Sequence, residues 1–142
     1  MDTGKPATVM FVDDDPSVLS GLERALRPWR DDFNMVFVCG APAGLVYAGI
    51  RNVDVVVTDM SMPLLDGRGL IERLRQRCPE MAFIVLSGQC DGDAVEGLTL
   101  DDVVFVAKPA APETLMVFIA DAVDHLAARG GAGQAAAGMG AA

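Results

Sequence analysis

The sequence predicts an α/β domain, a doubly wound five-stranded parallel sheet with helices on both faces. Three observations carry that expectation. Five short runs rich in Val, Ile and Phe recur along the chain, and several are apolar at nearly every position, as strands covered on both faces must be. Longer segments with apolar residues at helical spacing lie between them. The two patterns alternate, which is the order that builds βαβ units. A chain of 142 residues has room for one such domain and little more.

The first strand, residues 8–12, runs straight into three acids, Asp13, Asp14 and Asp15. Asp15 followed by Pro16 reads as a helix N-cap with proline at the first helical position. Val18, Leu19, Leu22, Ala25 and Leu26 then form an apolar stripe that Pro28 breaks. The second strand covers residues 35–39, and residues 42–50 make a weaker helix interrupted by Gly44 and Gly49. The third strand, residues 53–58, ends at Asp59, after which Asp66 and Gly67 supply turn and cap chemistry. Leu70, Ile71 and Leu74 mark the next helix among Arg68, Glu72, Arg73 and Arg75, stopped by Pro79.

The fourth strand is residues 82–87, and a short helix weakened by Gly92 and Gly97 is expected over residues 91–98, started by Asp91 and Asp93. The fifth strand, residues 103–107, precedes Lys108, and a last helix follows Pro112 with Leu115, Ile119, Ala122, Val123 and Leu126 as its stripe. His125, the one histidine, falls on the polar side of that helix. From Gly130 the chain reads GGAGQAAAGMGAA, without an aromatic or β-branched residue. The domain is therefore placed at residues 1–129, with 130–142 as a flexible tail or linker stump.

Composition excludes several function classes. Twenty acidic against eleven basic residues give a formal charge of -9, which disfavours a grip on nucleic acid and suits a divalent cation or a basic partner. Arg68, Arg73, Arg75 and Arg77 read as a solvated helix face. Cys39, Cys78 and Cys90 are odd in number and lack C-x-x-C spacing, so they read as small core residues in a reducing cytosol. The start has no signal-peptide pattern, and no uncharged apolar run approaches the ~20 residues that span a bilayer. A cytoplasmic location is expected.

A doubly wound sheet gathers the carboxyl ends of its strands along one edge, where such folds place their sites. Here those ends carry Asp13 and Asp14, Asp59, Ser87 and Lys108. Carboxylates ~4 Å apart repel by roughly 4 kcal/mol per pair at a typical effective dielectric. A hard cation such as Mg²⁺ offsets that cost through oxygen ligands. Three carboxylates against Mg²⁺ and Lys108 leave the pocket near neutral and open to an anion, of which a phosphoryl group is the best fit. Asp59, between the acid pair and Lys108, is the expected nucleophile, forming an acyl phosphate.

Taken together, FVDDDPSVL, VVVTDMSMPLLDG, IVLSG and FVAKP resemble the receiver domain of two-component response regulators (CheY-like), over roughly residues 8–128. The resemblance implies a flavodoxin-like (β/α)5 fold with strand order 2-1-3-4-5. It implies that Asp59 accepts phosphoryl from a sensor histidine kinase or a phosphotransfer protein. Asp13, Asp14 and Asp59, with the backbone carbonyl of Ser61, would hold Mg²⁺ or Mn²⁺. Ser87 and Phe105 would form a switch pair that remodels the face of the fourth helix, fifth strand and fifth helix. That face would control a partner or output domain, or form a homodimer, with no membrane and no direct nucleic-acid contact. Ser61 and Gln89 stand where hydrolysis is tuned.

Two departures accompany the match. Ala110 and Ala111 replace a capping aspartate before the last helix, and Gly88, Gly92 and Gly97 loosen the fourth. The resemblance implies a regulatory phosphoacceptor that phosphorylates itself from a donor and loses the group slowly, not a turnover enzyme. Two alternatives stay open: a Mg²⁺-dependent phosphohydrolase working through an aspartyl-phosphate, and an interaction module with a vestigial acid pocket. Against the first, Ser61 occupies the place of the second acid that such hydrolases use.

Overall fold

Strands β1 (Thr8–Asp13), β2 (Asn34–Cys39), β3 (Val55–Asp59), β4 (Ala82–Ser87) and β5 (Val103–Ala107) pair in parallel in the order β2-β1-β3-β4-β5. They are seen in a computed structural model that describes residues 6–88 and 103–141. Helices α1 (Pro16–Ala25), α2 (Ala41–Ile50) and α3 (Gly67–Arg77), a 3-10 turn at Arg27–Trp29 and a C-terminal helix (Pro112–Ala141) complete the described elements. The helix expected over residues 91–98, with Gln89 and Cys90 before it, lies outside the described residues.

Two apolar layers flank the sheet. On one face Met10, Val12, Val56, Phe83 and Val85 pack beneath α2 and α3, whose Leu70, Ile71 and Leu74 are fully buried. On the other, Val9, Phe11, Val57 and Ile84 meet Leu19 and Leu26 at the α1 end and Leu115 and Ile119 of the C-terminal helix. Alternate residues of each strand thus feed opposite cores, which is why the central runs are apolar throughout. The rings of Phe11 and Phe37 stack across β1 and β2, centroids 4.8 Å apart.

The elements differ from the sequence expectation in instructive places. Strands β1 and β3 each extend one residue further, onto Asp13 and Asp59, because backbone pairing (Asp13 with Cys39, Asp59 with Leu86) is indifferent to side-chain polarity. Strand β3 starts at Val55, two residues later than expected, although the Asp54 backbone already bonds Thr8 and Ala82 and its carboxylate accepts from the Thr8 amide at 2.8 Å. Helix α2 forms despite its glycines: Gly44 lies against β1, where a Cβ would come 3.3 Å from Val12 Cγ2. The C-terminal helix stays helical through the Gly/Ala-rich stretch that composition marks as a flexible tail.

The cysteines and arginines also depart from expectation. Cys78 packs at the core margin as expected, but Cys39 is exposed, because it ends an edge strand. Arg75 lies over the Phe83 ring, 5.5 Å from its centroid, and Arg77 donates to the Leu45 carbonyl at 3.2 Å. Arg75 thus joins α3 to the core, while Arg77, exposed as expected, ties α3 to α2, and Arg68 pairs with Glu72 on the solvated face. His125 is exposed, as its place on the polar side predicts. Among the described residues no helix is long and apolar enough to cross a membrane.

Candidate functional site

The central pair β1 and β3 stays in register up to Val12 beside Thr58. One step beyond, the chain places Asp13 and Asp59 side by side at the carboxyl edge of the sheet. Both are buried, at 5% and 6% exposure, and Asp14 next to them is exposed. Carboxylate oxygens of the three lie within 4.8 Å of one another. Asp15 leaves this cluster: its side chain accepts from the Ser17 amide at 2.9 Å and caps α1, with Pro16 in the first turn.

Burial pushes the Asp13 carboxyl above its ordinary value of 3.8, and the neighbouring charges of Asp59 and Asp14 push the same way. The Asp15 amide, which donates to Asp13 Oδ1 at 2.9 Å, opposes them. Asp59 Oδ1 is buried and accepts no hydrogen bond among the described residues, and the Lys108 ammonium faces it at 2.5 Å as an ion pair. Lys108 reaches this point because its amide donates to the Ser87 carbonyl at 2.9 Å, tying the end of β5 to the end of β4. The Lys108–Pro109 peptide is cis.

Four predicted residues therefore converge through their side chains: Asp13, Asp14, Asp59 and Lys108. Ser87, half-buried, joins them through its backbone bond to Lys108. Ser61 is exposed on the loop leaving β3, where it lines an open depression of about 400 Å³ with Met60, Met62, Pro63 and Asp66. Phe105 stands apart on edge strand β5, half-buried against the α2/α3 core and paired with Val85.

Gly67 has a role that turn chemistry alone does not convey. Its amide donates to the Met60 carbonyl at 2.8 Å, and a Cβ at this position would sit 2.5 Å from the Asp59 carbonyl oxygen. Asp66 caps the same helix, accepting from the Gly69 amide at 2.9 Å. The start of α3 is thus clamped against the backbone of Asp59. Gly67→Ala is expected to cost about 1–3 kcal/mol, as overpacking of a tight contact does, read as a lowered midpoint in urea unfolding.

The donor set fits a hard divalent cation. All three groups are carboxylates, two of them are buried, and one lysine leaves two negative charges to be met. Exposed acids alone would carry little weight; two buried ones sharing a cleft do.

Similarity to known proteins follows the same lines. A family model described as "Response regulator receiver domain" matches residues 9–120. The transcriptional regulatory protein PrrA of Mycobacterium tuberculosis is 34% identical over 111 residues, covering 77% of this chain and 47% of PrrA. The transcriptional regulatory protein GlrR of Escherichia coli K12 is 31% identical over 124 residues, covering 87% of this chain and 28% of GlrR. The chain spans between about a quarter and a half of the length of the curated relatives it matches. A crystal structure of a response regulator receiver domain protein from Clostridium thermocellum has a TM-score of 0.75 and 26% identity, covering 84% of this chain and 95% of that one.

Proposed function

The chain belongs to the response-regulator receiver family, and on that premise we propose that it is a phosphoacceptor signalling switch charged on Asp59 by a sensor histidine kinase or phosphotransfer protein. The observation that carries the proposal is the convergence of Asp13, Asp14, Asp59 and Lys108 on one sheet edge. Asp13, Asp14 and Asp59, with the Ser61 backbone carbonyl, are the residues that would hold Mg²⁺ or Mn²⁺. Such an ion, when bound, neutralises carboxylate and phosphoryl oxygens together.

The remaining chemistry belongs to side chains. A carboxylate oxygen of Asp59 attacks phosphorus, the P–N bond of the donor phosphohistidine breaks, and the departing imidazole keeps the electron pair and takes up a proton. With acetyl phosphate as donor, a P–O bond breaks instead and acetate leaves. The product is an acyl phosphate, which water returns to carboxylate and inorganic phosphate. Lys108 exchanges its carboxylate partner for a phosphoryl oxygen, and the Ser87 hydroxyl donates to another. The transfer asks for placement and charge balance more than covalent help, and these groups supply both.

Ser87 and Phe105 serve as the switch pair. Their movement remodels the β5 side of the domain, toward an output domain, a separate partner or a second copy. Free thiols at Cys39 and Cys78 accord with a cytoplasmic location. Residues 1–129 form the signalling unit, and 130–142 extend it as a tail or linker stump.

The test is incubation with Mg²⁺ and acetyl phosphate, followed by intact-mass measurement. Wild type is expected to gain one phosphoryl group, and chelating the metal with EDTA should slow that gain by at least about tenfold, given the repulsion left unbalanced. An unchanged mass in the presence of Mg²⁺ would overturn the proposal. Sustained phosphate release from generic phosphate esters would instead favour a phosphohydrolase.

A further inference from the structure

Three valines, Val55, Val56 and Val57, are followed in β3 by a fully buried residue that carries a hydroxyl, Thr58. A buried hydroxyl needs a partner, and this one donates to the carbonyl of Asp59 at 3.0 Å. That carbonyl lies where the two ladders of β3 end out of step. Pairing with β1 stops at Thr58, while pairing with β4 continues to Asp59 beside Leu86. The same oxygen is approached by α3, where only the missing Cβ of Gly67 leaves space. The next amide, of Met60, donates to the Leu86 carbonyl at 3.1 Å. The peptide that follows Asp59 is therefore held by a hydroxyl, a glycine and a ladder bond, and its orientation sets the backbone torsion from which the carboxylate projects.

We propose that Thr58 is a positioning residue for phosphoryl acceptance. By anchoring the Asp59 carbonyl, its hydroxyl keeps the carboxylate facing Lys108 and within reach of Asp13 and Asp14. Thr58 touches no reacting atom and acts only through Asp59. The inference rests on the reading of Asp59 as acceptor.

The full chain is compared as wild type, Thr58→Val and Thr58→Ser, measuring the initial rate of phosphoryl gain from acetyl phosphate at saturating Mg²⁺ alongside thermal melting. Valine keeps the shape and removes the hydroxyl; serine keeps the hydroxyl and removes a methyl group. The valine variant is expected to react about tenfold more slowly, a loss typical of a slightly misplaced reacting group, and the serine variant to react near the wild-type rate even where it melts lower. A valine variant as fast as wild type overturns the proposal. So does a serine variant as slow as the valine one, since the rate would then follow packing and not the hydroxyl. If the valine chain does not fold, Thr58→Ala takes its place with the same outcomes. A wild type that gains no phosphoryl group defeats the acceptor reading itself, whereas a reactive wild type matched by Thr58→Val defeats this inference alone.

Discussion

Asp59→Asn is expected to leave a folded protein that takes up no phosphoryl group from acetyl phosphate and Mg²⁺, under conditions where wild type takes up one. An amide oxygen of the same shape has lost the charge that makes a carboxylate a nucleophile toward phosphorus. The fold should tolerate the change. The ladder partner Leu86, the Thr58 hydroxyl and Gly67 all engage the backbone of residue 59, not its side chain. Lys108 loses its ion partner, but its side chain is 40% exposed and can turn to water. Intact mass gives the answer directly. A variant that gains the group as wild type does would move the acceptor to Asp13 or Asp14 and leave the acid cluster with a different division of labour.

Much of this site is legible in the sequence because parallel topology converts chain order into proximity. Once five strands are assigned, the residue after each one must lie on a common edge, so Asp13, Asp59, Ser87 and Lys108 can be nominated without knowing a single distance. What stays hidden depends on distances between elements. Gly67 looks like ordinary turn chemistry until the start of α3 is seen pressed on the Asp59 carbonyl. Thr58 looks like one more β-branched strand residue, since nothing local reveals that the β1 ladder stops beside it. Cys39 reads as a core residue because local pattern cannot say that β2 lies at the sheet edge. Arg75 likewise reads as solvated until its helix is packed over Phe83. The strand ends on Asp13 and Asp59 show the converse error: a polar side chain ended the pattern while the backbone went on pairing.

Asp13→Asn should make the metal-free protein more stable while nearly abolishing its response to Mg²⁺. Removing one of two buried carboxylates relieves a desolvation cost and two repulsions, with Asp59 and Asp14. The variant keeps an oxygen for the Asp15 amide, which now bonds Oδ1 at 2.9 Å. A gain of about 1–2 kcal/mol is expected from relief of like charges at such separations, or roughly 3–8 °C in Tm for a domain of this size. Magnesium, binding the native state alone, should raise the wild-type Tm as its concentration rises and leave the variant nearly unmoved. Loss of a carboxylate ligand should weaken Mg²⁺ binding by well over tenfold. The pH dependence has a definite sign. Because the native pKa of Asp13 is raised, folding favours its protonated form; that advantage is complete below the unfolded value of 3.8 and is lost as pH rises through the native value. The stability gap between variant and wild type should accordingly be full at neutral pH and close as the solution is acidified toward 3.8. Thermal melts without metal at neutral and acid pH measure it. A metal-free variant that melts below wild type at neutral pH would mean that Asp13 contributes more through its bond to the Asp15 amide than it costs through its charge, and the cluster would then need no cation to be tolerated.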